Sequence, residues 1–106
     1  MSYVVTVSYE AEEDVQSIFM YLAVQRSSPM NARRQLARIE QAIEGLDELP
    51  LRYPSAKFRS WGKRGFRVMR CDKFLIFYLV QEEKREVIIS RVLYQRRDIG
   101  NVLAED

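Results

Sequence analysis

The 106-residue sequence has no histidine, and this absence excludes more functions than any other feature. Without imidazole there is no Ser/His/Asp or Cys/His catalytic group, no histidine metal ligand and no histidine proton shuttle. Cys71 is the only cysteine, so no disulfide can form within the chain, and its place in a predicted strand is typical of a small buried apolar side chain. We therefore expect no metal, no cofactor and a reducing, cytoplasmic setting.

Long apolar runs and nucleotide-binding motifs are missing as well. The longest apolar run, residues 74 to 80, is too short to cross a bilayer, and the first residues lack the features of a signal peptide. Walker and GxGxxG patterns and the nucleophile elbow of serine esterases are absent. The sequence predicts no membrane or export role, and it gives no support to nucleotide hydrolysis, dehydrogenation or serine-esterase chemistry.

The composition is that of a folded protein with segregated charge. Hydrophobic residues make up 47% and charged residues 30%, whereas disorder pairs low hydrophobicity with high net charge. We expect one domain over residues 1 to 106, with a tail after about residue 99 that either packs or stays mobile. Residues 1 to 50 carry four basic and eight acidic groups (−4), and the remainder carries thirteen and seven (+6), which gives +2 in total. The C-terminal half is therefore the favoured surface for a polyanion.

The order of apolar periodicities predicts the fold class. β-branched and aromatic residues indicate a first strand over residues 3 to 8, and spacings of three and four predict helices over residues 11 to 24 and from Pro29 to before Pro50, with Ser28 as cap. A loop over residues 50 to 65 precedes three strands, residues 66 to 71, 74 to 81 and 86 to 94, separated by short turns. We predict an α+β protein, a helical hairpin on a twisted, mainly antiparallel four-stranded sheet with the order β-α-α-β-β-β.

A basic and aromatic stretch is the first candidate site. Its cations can neutralise phosphates, and two of its aromatic rings, Phe58 and Trp61, offer flat faces to a base. The alternative is a solvated loop leading into an amphipathic strand, with Trp61 packed at the edge of the core. The stretch comprises Lys57, Phe58, Arg59, Trp61, Lys63, Arg64, Phe66, Arg67, Arg70 and Lys73.

The end of the last strand is the second candidate site. RNA cleavage there would need arginines to stabilise charge on the phosphate, and a tyrosine or lysine to move protons. Alternation along the strand places Leu93 with Arg91 on one face and Tyr94 on the other. The alternative is ion pairing of the neighbouring arginines with Asp98. The candidates are Arg91, Tyr94, Arg96 and Arg97.

Read in order, these motifs resemble the RelE/ParE superfamily, toxins of type II toxin–antitoxin systems of the plasmid-stabilisation type. The resemblance covers about residues 3 to 99. It is carried by an opening Tyr-x-Val strand, an acidic first helical turn, Leu-Asp-Glu-Leu-Pro, Tyr53-Pro54, Arg67, Phe-Leu-Ile-Phe-Tyr from Phe74, and Arg-Val-Leu-Tyr-Gln-Arg-Arg-Asp-Ile from Arg91.

The resemblance implies a growth inhibitor neutralised by a cognate antitoxin that covers an exposed apolar face of the sheet and is acidic where it crosses residues 57 to 73. One branch of the family poisons DNA gyrase, and the other cuts mRNA in the ribosome. The ribonuclease branch commonly has arginine where this chain has Leu75, which favours the gyrase target. The ribosome-dependent endoribonuclease stays open, with Arg67, Arg91, Tyr94 and Arg96 as its catalytic candidates, and so does a degenerate member that only binds its antitoxin. In either active case Lys57, Arg59, Trp61, Lys63, Arg64, Arg70 and Arg97 are candidates for binding the target.

Overall fold

A computed structural model describes residues 2–56 and 61–95 and confirms the predicted order of elements. The strands are β1 (Val4–Val7), β2 (Arg67–Cys71), β3 (Phe74–Gln81) and β4 (Glu86–Tyr94). The helices are α1 (Tyr9–Met20), which continues into a π-helical turn (Tyr21–Gln25), and α2 (Pro29–Glu44). Two 3-10 turns follow, Gly45–Asp47 and Pro50–Arg52. The tail predicted after about residue 99 lies outside the described residues.

The four strands form one mixed sheet in the order β1-β4-β3-β2. β1 runs parallel to β4, while β2–β3 and β3–β4 are antiparallel hairpins, as their short connections require. A bulge in β4 shifts the register, so Phe77 of β3 faces Arg91 while the next residue, Tyr78, faces Ile89. β3 and β4 occupy the middle of the sheet, in agreement with the apolar run that predicted a protected strand.

The helical hairpin covers one face of the sheet and forms the larger core. Every third or fourth residue of α1 and α2 is apolar, so each helix presents one apolar stripe to the strands. The stripes include Ala11 and Ile18 of α1 and Ile39 and Ile43 of α2, which pack on alternate residues of the strands. From β2, β3 and β4 this core contains Met69, Phe74, Ile76, Tyr78, Val87, Ile89 and Val92.

A second, smaller core lies on the other face of the sheet. The segment before β2 folds back as a turn, and Trp61 packs its ring against Phe66 (centroids 4.7 Å apart) and Phe77 (5.0 Å). Leu75 and Leu93 complete this cluster from the sheet. The expectation that one apolar face of the sheet stays exposed until a partner binds is therefore wrong, because residues of the chain itself cover it.

The ends of the helices differ from the prediction for local reasons. α1 begins at Tyr9, two residues early, because the Ser8 hydroxyl accepts the N–H of Ala11 (3.1 Å). Ser28 is the N-cap residue of α2 and Pro29 is the first residue of the helix, as predicted. The Ser28 side chain makes no capping hydrogen bond. α2 ends before Gly45, where the chain tightens into a 3-10 turn. No helix within residues 2–56 and 61–95 is long and apolar enough to cross a membrane.

Tyr78 ties the loop after α2 to the middle of the sheet. It is fully buried, and its phenol donates a hydrogen bond to the carbonyl oxygen of Pro50 (2.6 Å). Burial raises the pKa of this phenol from 10.0 to about 12. The loop that carries Pro50 is thus fixed to β3 by one buried polar contact.

Replacing Tyr78 by phenylalanine is expected to lower the free energy of unfolding by about 1 kcal/mol at neutral pH, because the Pro50 carbonyl loses its donor. The raised pKa adds a pH signature. The contribution of the buried phenol is complete below pH 10 and declines as the pH rises toward 12. Urea unfolding of both proteins over this range measures it, and a difference that stays constant up to pH 12 would contradict the assignment.

Candidate functional site

The turn of the helical hairpin and the β2–β3 turn meet at one end of the sheet and enclose an open groove of about 520 Å³, which we call the turn groove. An adjoining recess of about 190 Å³ shares two of its residues, Lys73 and Tyr94, and adds Arg70 and Gln95. Three residues predicted from the sequence to belong to two separate stretches, Arg70, Lys73 and Tyr94, therefore lie together. The turn groove is lined by Tyr21, Leu22, Arg26, Ser27, Ser28, Asn31, Gln35, Asp72, Lys73, Phe74 and Tyr94.

The last residues of β4 hold Tyr94 at this site. Tyr94 is the register partner of Phe74, and the two rings meet edge to face with centroids 5.5 Å apart. The next residue, Gln95, donates its backbone N–H to the carbonyl of Lys73 (2.9 Å), which closes the β3–β4 pairing over the β2–β3 turn. As alternation predicted, Tyr94 packs on the helical side of the sheet while Leu93 lies in the second core.

The β2–β3 turn is fastened to α2 through Asp72. The Asp72 carboxylate accepts two hydrogen bonds from Arg38, both 2.7 Å, and one from the Gln35 amide (2.9 Å). The guanidinium of Arg38 and then the amide of Gln35 hold the pKa of Asp72 below its ordinary value. The Asp72 carboxylate is therefore paired with Arg38, and the cations Arg26 and Lys73 that line the same groove give it positive charge.

Replacing Arg38 by alanine is expected to raise the pKa of Asp72 toward the ordinary aspartate value of 3.8. A lowered carboxyl pKa stabilises the fold above the unfolded-state value, and this stabilisation is lost as the pH falls through the folded-state value. The Arg38 side chain is 64% exposed and screened by solvent, so we expect only a small loss of stability at pH 7, which disappears in acid. Carboxyl NMR titration of both proteins measures the shift; an unchanged Asp72 pKa would contradict it.

Arg67 lies far from Tyr94 and donates hydrogen bonds to the loop that follows α2. It is the register partner of Tyr78, whereas Tyr94 pairs with Phe74, four residues away along β3. At about 3.3 Å per residue this is a separation of roughly 13 Å. One guanidinium nitrogen of Arg67 donates to the carbonyls of Tyr53 (2.6 Å) and Leu51 (3.3 Å).

Arg91 is likewise engaged in the framework. Its guanidinium makes a two-pronged ion pair with Asp14 of α1 (2.7 and 2.9 Å), and both side chains are largely buried. The same carboxylate accepts the backbone N–H of Val92 (2.9 Å), just beyond the point where β1 stops pairing with β4. The three described residues of the predicted catalytic set, Arg67, Arg91 and Tyr94, are therefore not brought together.

The remaining predicted binding residues are divided between the surface and the core. Lys63 and Arg64 are exposed on the turn that follows Trp61, with the Arg64 guanidinium 5.1 Å from the Phe66 ring centre and 5.8 Å from that of Trp61. Trp61 itself is 7% exposed. This corrects its interpretation as a stacking platform, because the ring is packed in the second core. Lys57, Phe58, Arg59, Arg96 and Arg97 lie outside the described residues.

The family of this chain follows from its match to a protein-family model. The family model for the ParE toxin of type II toxin–antitoxin systems (parDE) matches residues 5–99. The chain belongs to the ParE toxin family. This confirms the RelE/ParE resemblance drawn from the ordered motifs. Among curated protein sequences, none matches this ParE-family toxin.

Solved structures with the same fold come from both branches of the superfamily. A chain of a chromosomal ParDE system from P. aeruginosa superposes with a TM-score of 0.69 at 16% identity, over 86% of this chain and 94% of that chain. A RelBE toxin–antitoxin complex from Mycobacterium tuberculosis gives 0.65 at 22% identity, over 89% and 92%. A free E. coli RelE variant gives 0.63 at 15% identity, over 99% and 93%. At these identities the likeness establishes the fold of the ParE-family toxin.

Leu75, the residue on which the resemblance separated the two branches, is buried in the ParE-family toxin. Leu75 is 8% exposed and lies in the second core, with Leu93 as its partner on β4 and Trp61 in the same cluster. An arginine there would have to bury its charge among apolar side chains, which carries a large desolvation penalty. The apolar surroundings of this position therefore suit a leucine side chain and disfavour an arginine side chain.

Sequence reasoning missed Arg26 and Asn31, which line the turn groove from the helical hairpin. No local motif marks them, because they reach the groove through the packing of two helices on the sheet. The groove offers cations, amides and a phenol, a set suited to binding an anionic group. Among the described residues there is no cluster of three or more His, Cys, Asp or Glu side chains able to hold a metal.

Proposed function

We propose that this ParE-family toxin inhibits growth by acting on DNA gyrase, without being a nuclease, and that a cognate antitoxin neutralises it. The observation that carries the proposal is the burial of Leu75 in the second core, at the position where the ribonuclease branch commonly has arginine. Membership in the ParE family supports the same target.

The placement of the candidate catalytic side chains supports this choice. Cleavage of RNA requires charge stabilisation and proton transfer at one phosphate, within hydrogen-bond reach of that group. Arg67 is bonded to the loop carbonyls of Tyr53 and Leu51, and Arg91 is bonded to Asp14 on α1. Neither arginine reaches the groove that contains Tyr94.

A ribosome-dependent mRNA endoribonuclease is the second candidate, favoured by one feature of the turn groove. Tyr94, the proposed proton-transfer group, lines a recess together with Arg70 and Lys73, so a phenol and two cations share one small site. The likeness in fold to E. coli RelE is compatible with this alternative.

The deciding experiment is induction of this chain alone, with growth, DNA integrity and message integrity followed in parallel. The gyrase proposal predicts double-strand DNA breaks and unchanged mRNA. The ribonuclease alternative predicts codon-phased cleavage in primer extension, and its loss in Tyr94→Phe, which removes the hydroxyl but keeps the ring. Lys84→Ala, in the β3–β4 turn, serves as an exposed control.

Two results would overturn the gyrase proposal. Codon-phased cleavage without DNA breaks assigns the ribosome as target. Unimpaired growth on induction, with the protein folded and present, identifies a degenerate member that only binds its antitoxin.

A further inference from the structure

The charges on the outer surface of the helical hairpin are separated toward its two ends. α1 with its π-helical turn and α2 run in opposite directions, so the start of α1 lies beside the end of α2. We call this the far end of the hairpin, and we call the end at residues 26 to 28 the turn end. The exposed cations of the turn end are Arg26, Arg33 and Arg34, and the exposed acids of the far end are Glu10, Glu12, Glu13, Glu40 and Glu44.

The stability of α2 does not account for its share of this distribution. The helix dipole favours cations in the last turn, whereas Glu44 is the last residue of α2. Glu40 and Glu44 are four residues apart, a spacing at which like charges destabilise a helix. No opposite charge stands three or four residues along the helix from Arg33, Arg34, Glu40 or Glu44. The charges of α2 therefore favour a contact outside this helix.

Apolar and small side chains occupy the same surface between the charges. Val24 and Met30 are 62% and 58% exposed at the turn end, and Tyr9 is 72% exposed at the far end. Ser17 and Ala37 are exposed near the middle of α1 and α2, and their small size permits the close approach of another helix. The hairpin thus combines exposed apolar side chains at both ends with opposite charges at the two ends.

We propose that two copies of this chain associate through the outer surfaces of their hairpins, about a two-fold axis that runs across both helices close to Ser17 and Ala37. Each helix then packs on the same helix of the other copy, in the opposite direction, and the turn end of one copy lies on the far end of the other. The surface is self-complementary, as a two-fold interface requires. Two hairpins packed in the same direction would bring like charges together.

The spacing along the helices agrees with this axis. Arg33 lies four residues before Ala37 and Glu40 three residues after it, so the axis brings the arginine of one copy opposite the glutamate of the other. Seven residues make about two helical turns, which places Arg33 and Glu40 on the same side of α2. In α1, Tyr9 lies eight residues before Ser17 and Val24 seven residues after it, so these two exposed side chains also meet across the axis.

The size of the surface predicts a weak and reversible dimer. At 1.5 Å per residue each helix is about 24 Å long, and two helices packed about 9 Å apart present a face about 20 Å wide. The face therefore covers roughly 500 Å² per copy, less than the roughly 800 Å² per partner of a stable interface. We expect a dissociation constant on the order of 0.1 mM that rises at least tenfold between about 0.05 M and 0.5 M salt, because the ionic contacts are exposed and screened.

Charge reversal in α2 of the full chain tests the arrangement by sedimentation equilibrium. Arg33→Glu with Arg34→Glu, and separately Glu40→Arg with Glu44→Arg, bring like charges together and are expected to weaken the dimer at least tenfold. The quadruple variant, and an equimolar mixture of the two double variants, bring opposite charges together again and are expected to restore association. The fold is retained, because the helix dipole favours the reversed charges.

Lys63→Glu with Lys84→Glu is the matched control, since it changes the net charge as the arginine variant does but at exposed positions outside the hairpin. We expect its dissociation constant to stay within twofold of the wild-type value. A wild-type chain that remains monomeric at millimolar concentration in low salt overturns the proposal. So does a quadruple variant that stays dissociated, and so does an equal weakening in the control, because the attraction then follows net charge and not the hairpin.

Discussion

Replacing Trp61 by alanine is expected to lower the free energy of unfolding by about 3 to 5 kcal/mol. The ring is the largest side chain of the second core and touches Phe66 and Phe77, so its removal opens a cavity against β3. A domain of this size has a total stability of about 5 to 15 kcal/mol, and the variant is therefore expected to be partly unfolded at 37 °C. Guanidinium unfolding followed by circular dichroism measures the loss.

Trp61→Phe is the matched variant. Phenylalanine keeps an aromatic ring in the cluster and removes the indole nitrogen, which is buried and has no hydrogen-bond partner in the described part of the chain. We expect a loss well below that of Trp61→Ala. If the two variants lose the same stability, burial of an aromatic ring at this position does not hold the turn on the sheet.

Replacing Asp14 by alanine is expected to cost about 2 to 4 kcal/mol. One carboxylate accepts hydrogen bonds from the Arg91 guanidinium and the Val92 N–H, and its removal takes an acceptor away from a largely buried cation and from a backbone donor. Urea unfolding can be followed through the emission of Trp61, which is the only tryptophan and is buried in the folded protein.

Glu12→Ala is the control, since it removes an exposed carboxylate from the same helix and is expected to cost less than about 1 kcal/mol. Asp14→Asn separates the two roles of the carboxylate, because the amide oxygen still accepts the Val92 N–H while the ion pair is lost. If Asp14→Ala is no less stable than Glu12→Ala, the link between α1 and β4 carries no stability.

The fold was predictable because its signals are local and periodic. The stripe from Ala32 to Leu46 and the continuous apolar run from Phe74 specify a helix and a central strand without reference to the rest of the chain. The early start of α1 depends on one side chain, Ser8, and the end of α2 depends on how Gly45 continues into a 3-10 turn. Such ends are set by single contacts, which periodicity does not encode.

The site was less predictable because it depends on which distant residues meet. Arg70 and Lys73 of the basic stretch line a recess at the end of the sheet, but composition could not tell that the Trp61 ring is packed in the second core. Arg91 reads as a free cation in the sequence, and only tertiary packing shows that it pairs with Asp14, 77 positions away. The local sequence around an arginine does not tell whether its guanidinium pairs with a carboxylate of the fold or binds a substrate.

The parallel pairing of β1 with β4 has a consequence for the synthesis of this toxin. Val4 pairs with Glu86, so the first strand to leave the ribosome finds its neighbour only when most of the chain has been made. Contacts between residues far apart in sequence form slowly, and the apolar surfaces that they bury stay exposed until they have formed. A nascent or truncated chain that ends before residue 86 lacks the strand that joins β1 to β3, so the four-stranded sheet can be completed only after β4 has been translated.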